Sequence, residues 1–295
     1  MEITSTVDLI VFAGQSNMAG RGDAEDAPEC LPGAGYEYKA VSAPEDLIPI
    51  QEPFGLHEDR ANGLSDWTED GGTKRSGSMV TALVNEYYRQ TGHVVIGVSA
   101  SKGGTSTEQW KKSYISDAVS RLESAKCYLS DHQIAVRDIY VVWCQGETDG
   151  DHQVTKEIYK KNTQELMEQF KKAGASHVFL VQIGHFNYLL HGEKGKAWDK
   201  RYEVIRLAQE ELCRENGFFT LAASFEPYLT LMRDSYHYFQ RAYDEVGTAC
   251  GKIMAKLNIR LNFACKSSFH AVSQASEQIE GTVIILLIIH QPVLP

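Results

Sequence analysis

"VFAGQSNMAGRG", residues Val11 to Gly22, runs an apolar strand into a glycine-flanked serine with almost no loop between them. Val11, Phe12 and Ala13 suit the inside of a sheet, yet Ser16 follows at once, between Gln15 and Asn17. Glycine and serine are ordinary turn residues, and Ser or Asn can cap a helix that begins near Met18, so a plain strand-to-helix turn accounts for the stretch by itself. The alternative is a nucleophile at the carboxyl end of a strand, where the N–H groups of a helix start face a developing negative charge. The choice rests on partners elsewhere in the chain.

Apolar and β-branched runs recur at 7–13, 93–100, 138–146, 177–185 and 217–224, each reading as a buried parallel strand. Amphipathic stretches lie between them at 79–90, 114–130, 153–174 and 198–216, with 238–257 last. This alternation predicts an α/β fold, a three-layer α/β/α sandwich around a central, mainly parallel five-stranded sheet. In such sheets ligands bind beyond the carboxyl ends of the strands, at the switch point. Residues 21–78, rich in Gly, Pro, Asp and Glu, break the alternation and read as a long irregular insertion. A loop of that length inside a compact domain is usually functional.

A chain of 295 residues with 43% apolar content can bury a sizeable core, and one large domain over 1–265 is expected, followed by a tail, 266–295. The net charge of -10 disfavours nucleic acid or an anionic membrane as partner. Six cysteines without a C-x-x-C pair indicate neither a zinc site nor a disulfide framework, which points to a reducing compartment. "MEITSTVDLIVFAG" lacks the basic start of a signal peptide, so a cytoplasmic protein is expected. The tail carries a seven-residue apolar run, Val283 to Ile289, too short for a bilayer that needs roughly 20 residues.

The strand ends hold the candidate partners of Ser16. In "SASKGGTSTEQW" (99–110), Gly103 and Gly104 allow close backbone approach and can aim an N–H at a ligand, or simply open the next helix. In "VVWCQGETDG" (141–150), the amide of Gln145 and the carboxylates of Glu147 and Asp149 share one edge. Ten histidines are on offer as a base, and His237 in "RDSYHYFQRAYDEVG" stands out because Asp234 precedes it by three residues. Residues i and i+3 of one turn come within ~7 Å at Cα, so this carboxylate can accept the Nδ1–H and leave Nε2 for Ser16. His185 and His191 are rival bases without an acid at that spacing.

Together, "GQSNMAGRG", "KGGTS" followed by Trp110, "WCQGETD" and "DSYH" resemble the SGNH (GDSL-like) hydrolases in order and spacing. More narrowly they are similar to the branch holding sialate O-acetylesterase-like domains and the carbohydrate esterases of family six, over about residues 7–257. The resemblance implies a flavodoxin-like sheet, with Ser16 as nucleophile, His237 as base and Asp234 as its partner. It further implies an oxyanion hole of the Ser16 N–H, a Gly103 or Gly104 N–H and the Gln145 side chain, with Glu147, Asn17 and Arg21 in support. The wider superfamily has an asparagine where this chain has Gln145, a substitution usual for the carbohydrate-esterase branch.

The chemistry so implied is removal of acetyl groups from sugar hydroxyls, on sialic acids or on polysaccharides such as xylan, with no metal or organic cofactor. Two other readings are a carbohydrate-binding module that lost its chemistry, and a lipase or thioesterase of the same superfamily. The latter would need an apolar acyl groove, whereas the insertion is polar, with Trp67 its only tryptophan.

Overall fold

In the computed structural model, which describes residues 6–258, strand β1 (Val7–Gly14) is buried along its whole length. It pairs in parallel with β4 (Val94–Ser101) on one side and β5 (Val136–Cys144) on the other. Beyond β4 lie β2 (Gly35–Tyr38) and β3 (Leu47–Pro49), and beyond β5 lie β6 (His177–Gln182) and β7 (Phe219–Ser224). The sheet order is β3-β2-β4-β1-β5-β6-β7, parallel throughout except for the β2–β3 pair. The chain leaves β1 for one side of the sheet and returns across it to build the other, so the switch point falls at the carboxyl end of β1.

The five expected strands are all present within a few residues of their expected ends, but the sheet has seven strands. The two additional ones, β2 and β3, lie in the stretch expected to be irregular, which is thus corrected. At four and three residues they are too short to carry a period of two; β2 is a strand through its pairing with β4 at Gly35↔Val95 and Tyr36↔Ile96, and β3 through its antiparallel pairing with β2.

Register fixes the edge where chemistry can occur. Gly14 stands opposite Ser101 on β4 and Cys144 on β5, so Ser16, Gly103 and Gln145 leave the sheet together. Gly14 has φ 144, and a Cβ there would lie 1.9 Å from the Cys144 carbonyl oxygen. The turn can therefore be this tight only with glycine.

The helices in chain order are α1 (Ser16–Ala19), α2 (Val80–Thr91), α3 (Thr107–Gln109), α4 (Ile115–Asp131), α5 (Glu147–Asp151), α6 (Lys156–Lys172) and α7 (Tyr188–Glu215). A last helix opens at residue 240. Alternate β1 residues Val7, Leu9, Val11 and Ala13 share one core with Leu122, Ala125 and Leu129 of α4 and with Leu166 and Phe170 of α6. Each large aliphatic or aromatic side chain so buried contributes about 1.5–3 kcal/mol. α7 begins ten residues before the expected 198, because a non-helical break at Gly192 (φ 58, ψ -140) joins a short first segment to the long amphipathic one.

The insertion is tied to the sheet edge by two fully buried arginines. Arg75 donates to the Ser101 hydroxyl at 2.8 Å and to its carbonyl at 2.9 Å. Arg121 donates to the Ser99 carbonyl at 2.9 Å and the Leu64 carbonyl at 3.3 Å, while Asp117 accepts the Leu64 N–H at 2.9 Å. Buried charges persist only when so partnered. Among the described residues no helix is long and apolar enough to cross a membrane. The tail 266–295, with its run Val283–Ile289, and Cys265 lie outside the described residues.

Candidate active site

Ser16 is the first residue of α1 and directly follows the Gln15 peptide, whose carbonyl accepts the N–H groups of Met18 and Ala19 at 3.0 and 2.9 Å. The turn leaves the Ser16 N–H without a protein acceptor among the described residues. The hydroxyl faces an open cleft of about 350 Å³ at the carboxyl edge of the sheet.

The loop after β7 brings the other two residues of the expected constellation. His237 Nε2 lies 2.9 Å from Ser16 Oγ, and His237 Nδ1 lies 2.9 Å from Asp234 Oδ2. The second carboxylate oxygen, Asp234 Oδ1, accepts the backbone N–H groups of Tyr236 at 2.7 Å and His237 at 2.8 Å, so one carboxylate shapes the turn and holds the ring. Burial pushes the Asp234 carboxyl up, but the hydrogen bonds from the His237 ring and the two N–H groups outweigh it and hold the group far below the ordinary carboxylate range. α7 braces the loop from outside: Asn187 donates its side-chain N–H to the Asp234 carbonyl at 3.0 Å and its backbone N–H to the Ser235 carbonyl at 3.1 Å.

Asn17 links the two halves of the site. Its amide N–H groups reach Glu147 Oε1 and, at 3.2 Å, the Tyr236 carbonyl, while its oxygen accepts the Tyr243 hydroxyl at 2.7 Å. The side-chain hydrogen bond of Glu147 is thus to Asn17, not to Gln145 or His237. Burial raises its carboxyl above the usual range despite the Asn17 hydrogen bond, and its Oε2 has no partner.

Gln145 is not where the sequence reading expects it. It is fully buried, and its amide nitrogen is taken by the Thr105 carbonyl at 3.0 Å and by Asp149 Oδ2, so it does not line the cleft. Asp149, one helical turn on, captures the amide from beneath. The two glycines also part ways. Gly103 gives its N–H to Asp66 Oδ1 at 3.1 Å, whereas the Gly104 N–H has no acceptor among the described residues and Gly104 borders the cleft.

Arg21 forms the opposite wall, donating to Asp66 Oδ2 at 2.6 Å and to the Gly20 carbonyl at 2.7 Å. Asp66 and Lys74 line this wall from within the insertion, and Thr148, Asp151 and Tyr236 line the other. The sequence reading missed these five. Tyr236 lies inside "DSYH" and Asp151 just past "QGETDG", so adjacency to a motif was their available signal; Asp66 and Lys74 carry none. The rival histidines sit elsewhere. His185 Nδ1 lies 2.7 Å from Asp199 Oδ2, an acid brought by α7, and His191 Nε2 lies 2.8 Å from the Ser235 hydroxyl.

Residues 6–256 match the family model described as carbohydrate esterase, sialic acid-specific acetylesterase. Among solved structures, a protein from Arabidopsis thaliana is similar with a TM-score of 0.62 at 20% identity, over 85% of this chain and 98% of its own. NanS is similar with a TM-score of 0.57 at 13% identity, over 88% of this chain and 100% of its own. At these identities the likeness bears on the fold alone. No curated protein matches the chain by sequence.

Proposed function

Because this chain belongs to the sialic acid-specific acetylesterase family of carbohydrate esterases, we propose that it is a serine esterase that removes O-acetyl groups from a sugar through Ser16, His237 and Asp234. The observation that carries this reading is the run of contacts from Asp234 Oδ2 through the His237 ring to Ser16 Oγ, each 2.9 Å. The cleft supports a sugar rather than an acyl chain. Most of its lining residues carry a polar group, with Arg21, Asp66 and Lys74 facing Thr148, Asp151 and Tyr236, a lining suited to hydroxyl groups.

The steps follow from the atoms. Ser16 Oγ attacks the acetyl carbonyl carbon as its proton passes to His237 Nε2, and the Asp234 carboxylate stabilises the imidazolium so formed. The Ser16 and Gly104 N–H groups hold the oxyanion. On collapse the sugar oxygen leaves with the proton from Nε2, and the acetyl group stays on Oγ. Water then gives a proton to Nε2 and attacks the acetyl carbon, and Ser16 Oγ departs with that proton, freeing acetate. The substrate class proposed is an O-acetylated sialic acid or an acetylated polysaccharide such as xylan.

Ser16→Ala tests the reading, since alanine fits the same turn and removes only Oγ. Turnover of p-nitrophenyl acetate is expected to vanish with the circular dichroism spectrum unchanged, and a phosphonate is expected to label Ser16. A variant that keeps more than a few per cent of wild-type kcat overturns the assignment. A panel of O-acetylated sialic acid, acetylxylan and a simple acetyl ester then separates the substrates.

A further inference from the structure

The burial of Gln145 leaves the cleft without the side-chain donor expected to face the ester oxygen, and we propose that Gln15 supplies it. In this proposal the Gln15 amide nitrogen is a third hydrogen-bond donor to the oxyanion, beside the Ser16 and Gly104 N–H groups. The inference rests on the esterase reading above and deepens it.

Gln15 immediately precedes Ser16 and lines the cleft, although only 2% of its surface is exposed. Its Oε1 accepts the Gly146 N–H and the Thr148 N–H, each at 3.3 Å, and Gln145 Nε2 stands beside it at 3.4 Å. Backbone N–H groups can only donate, so the atom that faces Gly146 and Thr148 has to be the amide oxygen. That settles which prong carries the nitrogen. Nε2, with its two hydrogens, lies on the other prong and has no acceptor among the described residues.

This arrangement also gives Gln145 and Asp149 a place. Asp149 accepts from the Thr107 N–H at 2.9 Å, from the Thr107 hydroxyl at 2.6 Å and from Gln145 Nε2. Gln145 Nε2, whose two hydrogens serve Asp149 and the Thr105 carbonyl, is thereby held 3.4 Å from Gln15 Oε1. The polar groups of the "QGETD" stretch thus form a relay of hydrogen bonds behind Gln15. A donor fixed in advance by two backbone N–H groups on its oxygen needs little reorganisation when charge develops, the condition under which such donors contribute most.

The discriminating variant is Gln15→Glu. A carboxylate keeps oxygens for Gly146, Thr148 and Gln145 and so keeps the support, but it has no N–H to give. Gln15→Ala removes the donor without adding charge and covers the case in which the first variant does not fold. With p-nitrophenyl acetate, both are expected to lose about 10²- to 10³-fold in kcat, with KM changed by less than about threefold. Phosphonate labelling of Ser16 is expected to slow by a similar factor.

A folded Gln15 variant whose kcat stays within about threefold of wild type overturns the proposal, as does a loss confined to KM. Ser16→Ala separates this failure from failure of the esterase reading. If Ser16→Ala is inactive while the Gln15 variants are fully active, only the role of Gln15 falls. If Ser16→Ala itself turns over substrate, the esterase reading falls with it.

Discussion

Asp66 accepts the Gly103 N–H at 3.1 Å, which pins the insertion to the glycine pair at the end of β4 and takes one backbone donor out of the cleft. The same carboxylate pairs with Arg21 at 2.6 Å, so a single acid from an irregular segment joins two walls of the site.

Removing that acid strands Arg21 as a largely buried cation. Breaking a buried pair from one side costs several kcal/mol, and a smaller loss applies here because the Arg21 guanidinium reaches the cleft. Asp66→Ala is expected to lower stability by about 2 kcal/mol in urea unfolding. Asp66→Asn, which keeps an acceptor for Gly103, is expected to lose less. Equal stability of all three proteins would contradict the joining role.

The two acids near His237 are expected to differ sharply in their effect on turnover. Asp234 contacts Nδ1 directly, whereas Glu147 contacts Asn17. Asp234→Asn is expected to lower kcat on the order of 10⁴-fold by favouring the wrong imidazole tautomer. Glu147→Gln, which retains an oxygen for Asn17, is expected to cost at most about tenfold. Should a folded Glu147→Gln prove the more damaging change, Glu147 is the working partner of His237 and Asp234 only shapes the turn.

Stability is expected to fall as pH rises from about 4.5 toward 8 through Glu37 on β2. This side chain is 1% exposed, and burial raises its carboxyl to about 8 against the opposing effects of Lys39 and the Gly55 N–H. Between the ordinary value of 4.5 and about 8 the folded state holds a proton that the unfolded chain has released. Each pH unit in that window therefore removes up to about 1.4 kcal/mol. Asp234 works in the opposite sense at lower pH, its contribution being present above 3.8 and lost as acid protonates it. Urea midpoints at pH 5, 6.5 and 8 check this: Glu37→Gln is expected to flatten the slope, and an unchanged slope counts against it.

Much of the frame is legible in the chain. Strands β1, β4, β5, β6 and β7 announce themselves because a strand buried on both faces must be a continuous apolar run, and the segments between them carry helical spacing. β2 and β3 escape because four and three residues hold no period, and only pairing makes them strands, β2 with β4 and β3 with β2. Asp234 and His237 are legible as a pair for a different reason: a contact across one turn depends on local backbone alone.

The chain alone tells which residues stand at the carboxyl edge of the sheet, since the ends of the apolar runs mark the ends of the strands. Which way each side chain points at that edge depends on the packed fold. Gln15 and Gln145 are chemically identical and both end a strand, yet one lines the cleft and the other is sealed beneath it. The difference lies in the partners: the Thr105 carbonyl, from forty residues away, and the nearby Asp149 capture the nitrogen of Gln145, while Gly146 and Thr148, from another strand end, capture the oxygen of Gln15. A buried amide must satisfy its donors and acceptors with whatever the fold brings within reach, and that set exists only once the strands have paired.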